Sequence, residues 1–146
     1  MSIDVVNETE TEIDIEGIGE QARFILDRLR IHPGAELSVV FVDVATMTDL
    51  HVRWMDEPGP TDVLSFPMDE LTPPRDDEPP PEGLLGDVVI CPEVAAKQAV
   101  QAGHDVTTEY GVLLTHGILH LLGYVHAEPD EERLMFGLQR RLLGEW

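Results

Sequence analysis

The chain has 146 residues, of which 29 are Asp or Glu and 9 are Lys or Arg, so its formal net charge is −20. Apolar residues make up 42% of the chain, which argues against disorder throughout and supports one packed domain over residues 1–146. The single cysteine, Cys91, excludes an internal disulfide and a zinc ribbon, and it favours a reducing compartment. The first residues show no basic and apolar leader, and no apolar run approaches the roughly 18 residues of a membrane span. We therefore expect a cytoplasmic protein without a membrane partner.

Strands and helices alternate in the predicted secondary structure of the first part of the chain. The strands are short segments rich in β-branched residues, and the helices carry apolar residues three and four positions apart. In chain order they are a strand over Ile3–Asn7, a helix over about residues 18–30, a strand over Leu37–Val44 and a helix over Thr46–Met55. Pro33-Gly34 should end the first helix. Met47, Leu50 and Trp54 should form one apolar face of the second.

Two further strands are predicted over Val63–Pro67 and Gly86–Cys91, on either side of a segment of different composition. That segment, residues 69–83, holds five prolines and six acidic residues. Such a composition cannot bury enough apolar surface to offset its chain entropy. We therefore expect a mobile, acidic, proline-rich loop here.

The last third of the chain predicts three helices. Pro92 opens one that runs to about Ala102. From Thr107 to Gly123, apolar residues surround a second helix on nearly all sides, which predicts that it is buried. Pro129 and the acidic residues after it open the third. The inner face of this last helix should be formed by Leu134, Met135, Leu138 and Leu142. The element order β-α-β-α-β-β-α-α-α predicts an α+β fold, with a mixed four-stranded sheet covered by about five helices.

Three histidines near the end of the buried helix have the spacing of metal ligands. His116 and His120 are four residues apart, so both imidazoles leave the same face of the helix. Gly123 allows a sharp turn after the helix, and His126 can then return toward the other two. Three neutral imidazoles with one open position are typical of a catalytic zinc site. The alternative is that these are ordinary core or surface histidines, as we expect for His32, His51 and His104.

The same spacing occurs in the metzincin proteases, H-E-x-x-H-x-x-G-x-x-H, where the Glu is the general base. Gly117 stands at the position of that Glu in this chain. A glycine supplies no carboxylate for peptide hydrolysis, but it lets another backbone or a substrate approach the helix closely. A zinc metallopeptidase or another metallohydrolase is therefore an alternative that this residue disfavours.

Three segments, His116–His126, Pro60–Pro67 and Leu85–Ile90, together form a pattern in this chain. The pattern resembles that of the YbeY family of bacterial rRNA-maturation endoribonucleases. His116–His126 is similar to the family signature H-G-x-L-H-L-x-G-Y-D-H. Pro60–Pro67 is similar to the segment P-T-D-V-L-S-F, and Leu85–Ile90 to the strand L-G-D-I. Met135 also stands where the family has Met. The segments keep the family's order and spacing, so the resemblance covers nearly the whole chain.

The resemblance implies a metalloprotein in which His116, His120 and His126 hold one zinc ion and act in catalysis through it. It also implies cleavage of single-stranded RNA, with a role in 16S rRNA 3′-end maturation and in 70S ribosome quality control. The implied partners are rRNA, the ribosome or its proteins, and assembly factors. Attack by water and attack by a ribose 2′-hydroxyl are both compatible with these residues. A non-catalytic ribosome-assembly factor that keeps zinc structurally is a further alternative.

Two positions depart from the family pattern. Val125 replaces the Asp that precedes the third His, and its loss should lower the rate without abolishing zinc binding. Met55 replaces an Arg that is thought to contact phosphate. Arg53 is the candidate to take over this catalytic contact, although two residues along a helix correspond to about 200° of rotation.

Other polar residues in the matched segments are expected to have structural roles. Asp62 and Asp87 should be turn and strand-end carboxylates that accept hydrogen bonds from backbone amides, and direct catalytic roles are the alternative that we favour less. Ser65 should be a strand residue near the cleft. The net charge of −20 is unlike that of free nucleic-acid binders, which are usually basic. Contact with RNA would then need a local patch, a bound metal or a partner, and we expect the chain alone to bind RNA weakly.

Overall fold

The computed structural model describes residues 2–31, 34–69, 71–80 and 82–146. The described part of the chain forms four strands and five helices in the predicted order, which confirms the α+β class. The strands are β1 (Ser2–Asn7), β2 (Glu36–Phe41), β3 (Val63–Pro67) and β4 (Leu84–Ile90). The helices are α1 (Ile15–Arg28), α2 (Val44–Met55), α3 (Pro92–Ala102), α4 (Val106–Leu121) and α5 (Pro129–Glu145).

The four strands form one mixed sheet in the order β1-β2-β4-β3. β1 and β2 pair in parallel, because α1 carries the chain back to the starting edge between them. β2 and β4 are also parallel, whereas β3 runs antiparallel to β4. β3 is the last strand in this order and therefore lies at one edge of the sheet.

Helix α1 begins three residues earlier and ends two residues earlier than predicted. It begins early because Oδ1 of Asp14 accepts a hydrogen bond from the backbone N–H of Gly17 at 3.0 Å. It ends before Pro33-Gly34, since Arg30 already has a left-handed φ of 58°. Pro33 and His32 lie outside the described residues, as do the predictions made for them.

Val44 belongs to α2 and not to the strand that was predicted to include it. Asp43 caps the helix, because its Oδ1 accepts a hydrogen bond from the backbone N–H of Thr46 at 2.8 Å. The β-branched side chain of Val44 resembles a strand residue in the sequence pattern, but the capping aspartate ends the strand first. Cys91 likewise stands outside β4, because it is the N-cap of α3.

Two side chains that were predicted to pack inward lie at the surface. Trp54 and Leu134 are both 63% exposed, whereas Met47 and Met135, on the same two helices, are fully buried. Trp54 lies near the end of α2, and its ring centroid is 6.3 Å from that of Phe66 on the edge strand of the sheet. Leu134 is rotated by about 100° from Met135, which turns it away from the core.

Helix α4 is buried as predicted. It packs against β3 and β4 on one side and against α1, α3 and α5 on the others. Its capping residue Asp105 accepts a hydrogen bond from the backbone N–H of Thr108 at 2.8 Å. Apolar as α4 is, no helix in the described part of the chain is both long and apolar enough to cross a membrane.

The segment between β3 and β4 has neither helix nor strand among its described residues, as predicted. It contacts the rest of the fold through Arg30, which donates a hydrogen bond to the backbone oxygen of Arg75 at 3.1 Å. Leu71 packs against the main core. Its mobility stays a prediction, and Glu70 and Pro81 lie outside the described residues.

Candidate metal centre

The end of α4 brings the three predicted histidines together. His116 and His120 lie in the last two turns of the helix, which ends at Leu121. Gly123 follows with a left-handed φ of 92°, a conformation that residues with a Cβ rarely adopt. The chain therefore reverses at this glycine, and the loop returns His126 to the first two rings.

The geometry of the three imidazoles suits a metal ion. One ligating nitrogen from each ring can be chosen so that all three lie within 4.8 Å of one another. Nε2 of His116 and Nε2 of His120 are 3.1 Å apart. Two nitrogens of a tetrahedral zinc site with bonds of about 2.0–2.1 Å lie about 3.3 Å apart. The residues present therefore fit a divalent metal with nitrogen ligands, and the predicted cluster is formed.

Neighbouring side chains hold the imidazole rings of the cluster in their orientation. Nδ1 of His116 donates a hydrogen bond to Oε1 of Gln139, on α5, at 3.0 Å. The ring of Phe136 stacks on His116 with centroids 5.9 Å apart, and it lies 5.6 Å from the ring of His126. His116 thus uses its Nδ1 for a protein contact.

The environment favours neutral imidazoles in the cluster. Burial lowers the pKa of His116 below its usual value of 6.5, and the positive charge of a protonated His126 would lower it further. Burial, together with the neighbouring rings of His116 and His126, lowers the pKa of His120 to about 4. Only neutral imidazole binds a metal, so these two side chains are in the ligating form at pH 7.

A cavity of about 500 Å³ opens beside the cluster, between β3 and helices α4 and α5. His116 and His120 form part of its wall, and Met55, at the end of α2, lies at its rim. Asp62 and Glu109 are the carboxylates that line it. Among the described residues of the lining there is no Lys or Arg, so the cavity has no protein cation to bind a phosphate.

Strand β3 lies directly against α4 at the cluster. Oγ of Ser65 donates a hydrogen bond to the backbone oxygen of Gly117 at 2.8 Å. A Cβ at position 117 would lie 2.7 Å from Cγ1 of Val88, which is too close for any side chain. A close approach at Gly117 is observed, but it is made by the side chains of Val88 and Ser65 and not by another backbone. The prediction of Ser65 as a strand residue near the cleft is confirmed.

The predicted structural roles of Asp62 and Asp87 have different outcomes. Oδ1 of Asp62 accepts a hydrogen bond from the backbone N–H of Val63 at 2.7 Å, so the expected turn role is confirmed. Asp87 lies in the middle of β4, paired with Phe66, and not at a strand end as predicted, because β4 begins two residues earlier than expected.

Arg53 and Met55 occupy different surroundings. Arg53 lies on the exposed side of α2, with Nη2 at 3.3 Å from the carboxylate of Asp49, and it is absent from the described lining of the cavity. Met55 lines the cavity. The geometry therefore gives no support to a phosphate contact by Arg53, and that role stays a prediction.

His51 and His104 are not ordinary surface residues, contrary to the prediction. Nδ1 of His51 donates a hydrogen bond to the backbone oxygen of Gly59 at 2.9 Å, and its Nε2 is 3.2 Å from the carboxylate of Glu57. Nε2 of His104 is 2.6 Å from the carboxylate of the buried residue Glu109. The partners of His51 and His104 lie across turns of the chain. The periodicity of a helix or a strand does not predict such contacts.

Two residues of the site, Gln139 and Phe136, were missed by the sequence analysis. Gln139 is 9% exposed and lies between Met135 and Leu142 on the buried face of α5. A polar residue four positions after one core residue and three before another is a signal that the sequence did contain. Phe136 gives no such signal in the sequence, because its role depends on contacts with the rings of His116 and His126, which lie outside α5.

Comparison with known proteins shows similarity over the whole chain. The sequence matches the family described as Endoribonuclease YbeY over residues 4–146. It is 64% identical over 143 residues to Endoribonuclease YbeY of Beutenbergia cavernae, covering 98% of this chain and 95% of that protein. It is 63% identical over 146 residues to Endoribonuclease YbeY of Thermobifida fusca, covering 100% and 94%. The solution structure of TM1509 from Thermotoga maritima is similar with a TM-score of 0.66 and 25% identity, over 99% of this chain and 91% of that one.

Proposed function

The chain belongs to the Endoribonuclease YbeY family, and from this membership we propose that it is a zinc-dependent endoribonuclease. The observation that carries the proposal is the cluster of His116, His120 and His126 at the edge of a cavity. Three nitrogen ligands on one side and an open side toward a cavity are the arrangement of a catalytic zinc site. A structural zinc site would instead have four protein ligands.

The protein groups of the site have separable tasks in this proposal. The three histidines hold the zinc ion, which supplies a Lewis acid that polarises a phosphoryl group. Gln139 and Phe136 hold the ring of His116 in place. The carboxylates of the lining do not attract RNA, so the positive charge in the cleft has to come from the metal.

The proposed substrate is single-stranded RNA, and the proposed role is 16S rRNA 3′-end maturation together with 70S ribosome quality control. The cavity of about 500 Å³ has the volume of a small-ligand site, which suits the reacting part of a single strand. The formal net charge of −20 opposes RNA binding by the free chain. We therefore propose that the ribosome, its proteins or assembly factors in the cytoplasm bring the substrate to the site.

The metallopeptidase alternative gains no support from the structure. Its general base would stand at position 117, where Val88 leaves no space for a Cβ. A carboxylate at that position would require β4 to move away from α4. The protease base therefore has no place at this position in this fold.

The test combines metal analysis with cleavage of single-stranded RNA and of an assembled ribosomal substrate. Wild type should carry about one zinc per chain and cleave, and His116→Ala should lose both properties. His51→Gln serves as the matched control, because it removes an imidazole outside the cluster and retains a donor for the Gly59 oxygen. Zinc binding without cleavage of either substrate would indicate a non-catalytic assembly factor. Cleavage of casein without cleavage of RNA would indicate a peptidase.

A further inference from the structure

Gln139 is a buried polar residue on a helix face that is otherwise apolar. Its neighbours on that face, Met135 and Leu142, are fully or almost fully buried, and Gln139 itself is 9% exposed. An amide in such a position is costly unless it is hydrogen-bonded. Among the described residues, the partner found for its side chain is Nδ1 of His116, at 3.0 Å. The Gln139 amide therefore provides a hydrogen-bond acceptor for His116, which the packing of α5 does not require.

The direction of this hydrogen bond determines the tautomer of His116. An amide oxygen only accepts, so Nδ1 of His116 must carry the proton. Nε2 is then left with its lone pair, and Nε2 is the atom that faces Nε2 of His120 at 3.1 Å. A metal ligand whose second nitrogen donates to a fixed acceptor is held in orientation and made more basic.

We propose that Gln139 is a positioning residue that holds His116 in the Nδ1–H tautomer and so presents its Nε2 to the metal. This inference rests on the proposed function, since it requires that the cluster binds a metal. Phe136 assists, because it stacks on the same ring from one turn earlier in α5. Helix α5 thus contributes to metal affinity although it supplies no ligand.

The chain offers a matched control for this role. Gln21, on α1, is another buried glutamine, 7% exposed, and it packs against α4 at Gly111, away from the histidines. Replacing either glutamine by leucine removes a buried amide beside α4. Only the change at Gln139 removes the acceptor of His116.

The experiment measures zinc affinity by competition with a chromophoric chelator for wild type, Gln139→Leu, Gln139→Glu and Gln21→Leu. Loss of such an acceptor typically weakens metal binding by about 10–100-fold, and we expect that loss for Gln139→Leu. Gln21→Leu should bind zinc like wild type. Gln139→Glu keeps an acceptor and should bind at least as tightly as wild type.

A second measurement has a wild-type part that does not depend on any variant folding. Nitrogen NMR of the metal-free wild type should show His116 protonated at Nδ1, and Gln139→Leu should lose this preference. Protonation at Nε2 in wild type, or wild-type zinc affinity in a folded Gln139→Leu, would overturn the role of Gln139. If wild type binds no zinc at all, the proposed function fails together with this inference. The two failures are therefore distinguished by the wild-type measurement alone.

Discussion

Gly117 lies against Val88 so closely that a Cβ at position 117 would be 2.7 Å from Cγ1 of Val88. This contact joins α4 to the central strand β4, one residue after the first metal-ligand candidate. Ser65, on β3, also contacts this glycine, because its Oγ donates a hydrogen bond to the Gly117 carbonyl oxygen. The side chains of Val88 and Ser65 therefore pack directly against the backbone of α4, which carries no side chain at position 117.

Gly117→Ala should lower the free energy of unfolding, even though alanine is the better helix former. Overpacking costs about 1–3 kcal/mol, which outweighs the roughly 1 kcal/mol gained in helix propensity. Gly137→Ala, inside α5, is the control, because its Cβ would meet nothing closer than 4.0 Å and should stabilise the protein. Urea unfolding of both variants decides the matter, and equal stabilisation by the two would contradict the packing argument.

Each of the three histidines should be needed for zinc binding. Removal of one nitrogen ligand from a site with three protein ligands should strip most of the metal, with the largest effect for His120, which lies between the other two in the chain. Metal analysis of His116→Ala, His120→Ala and His126→Ala checks this, and thermal melting with chelator should show loss of stability in wild type only. Full zinc occupancy in all three variants would show that the ligands lie elsewhere.

Acidification should destabilise the metal-free protein between pH 6.5 and about 4. The pKa of His120 in the fold is about 4, against 6.5 for an ordinary histidine, so the unfolded chain binds the extra proton in this window. The contribution of a neutral His120 to the free energy of unfolding is complete above 6.5 and is lost as the pH falls toward 4. Unfolding of wild type and His120→Gln across this range is the measurement. A slope against pH that is the same in both would show that His120 is not the group responsible.

Met55→Arg should raise RNA affinity and cleavage. The described lining of the cavity contains carboxylates and no Lys or Arg, and Met55 lies within that lining. An Arg there would place a cation where a phosphate can reach it. Val52→Arg is the matched control, since it adds the same charge to α2 at an exposed position absent from the described lining. The salt dependence of binding should increase more for Met55→Arg, and equal effects of the two would indicate only a change in net charge.

Val125→Asp should raise the cleavage rate without changing the zinc content. Val125 is 43% exposed and precedes His126, so a carboxylate there can be hydrated while lying next to a ligand. Effects of neighbouring carboxylates on metal sites are commonly about tenfold or more. Single-turnover cleavage at equal zinc occupancy measures this, and a rate equal to or below that of wild type would show that this position does not limit catalysis.

The element types, their order and the three-histidine cluster could all be predicted from the sequence, because each depends on local spacing. A four-residue separation places His116 and His120 on one helix face in any α-helix. Gly123 marks the point where the chain can reverse, and His126 follows at a distance that a single turn can span. The apolar residues on all sides of α4 likewise predict burial before any contact is known.

The partners of these histidines were decided by tertiary structure. Gln139 reaches His116 from 23 residues away, and Ser65 reaches Gly117 from 52 residues away. Such contacts depend on how α5 and β3 pack against α4, and a local period carries no information on the packing angle or the distance. Tertiary packing also decides that Met55 lines the cavity and Arg53 does not, since this depends on where α2 ends against the sheet. The sequence by itself therefore determined which residues can bind a metal. The tertiary structure decided which nitrogen His116 leaves for the metal and which charges surround the site.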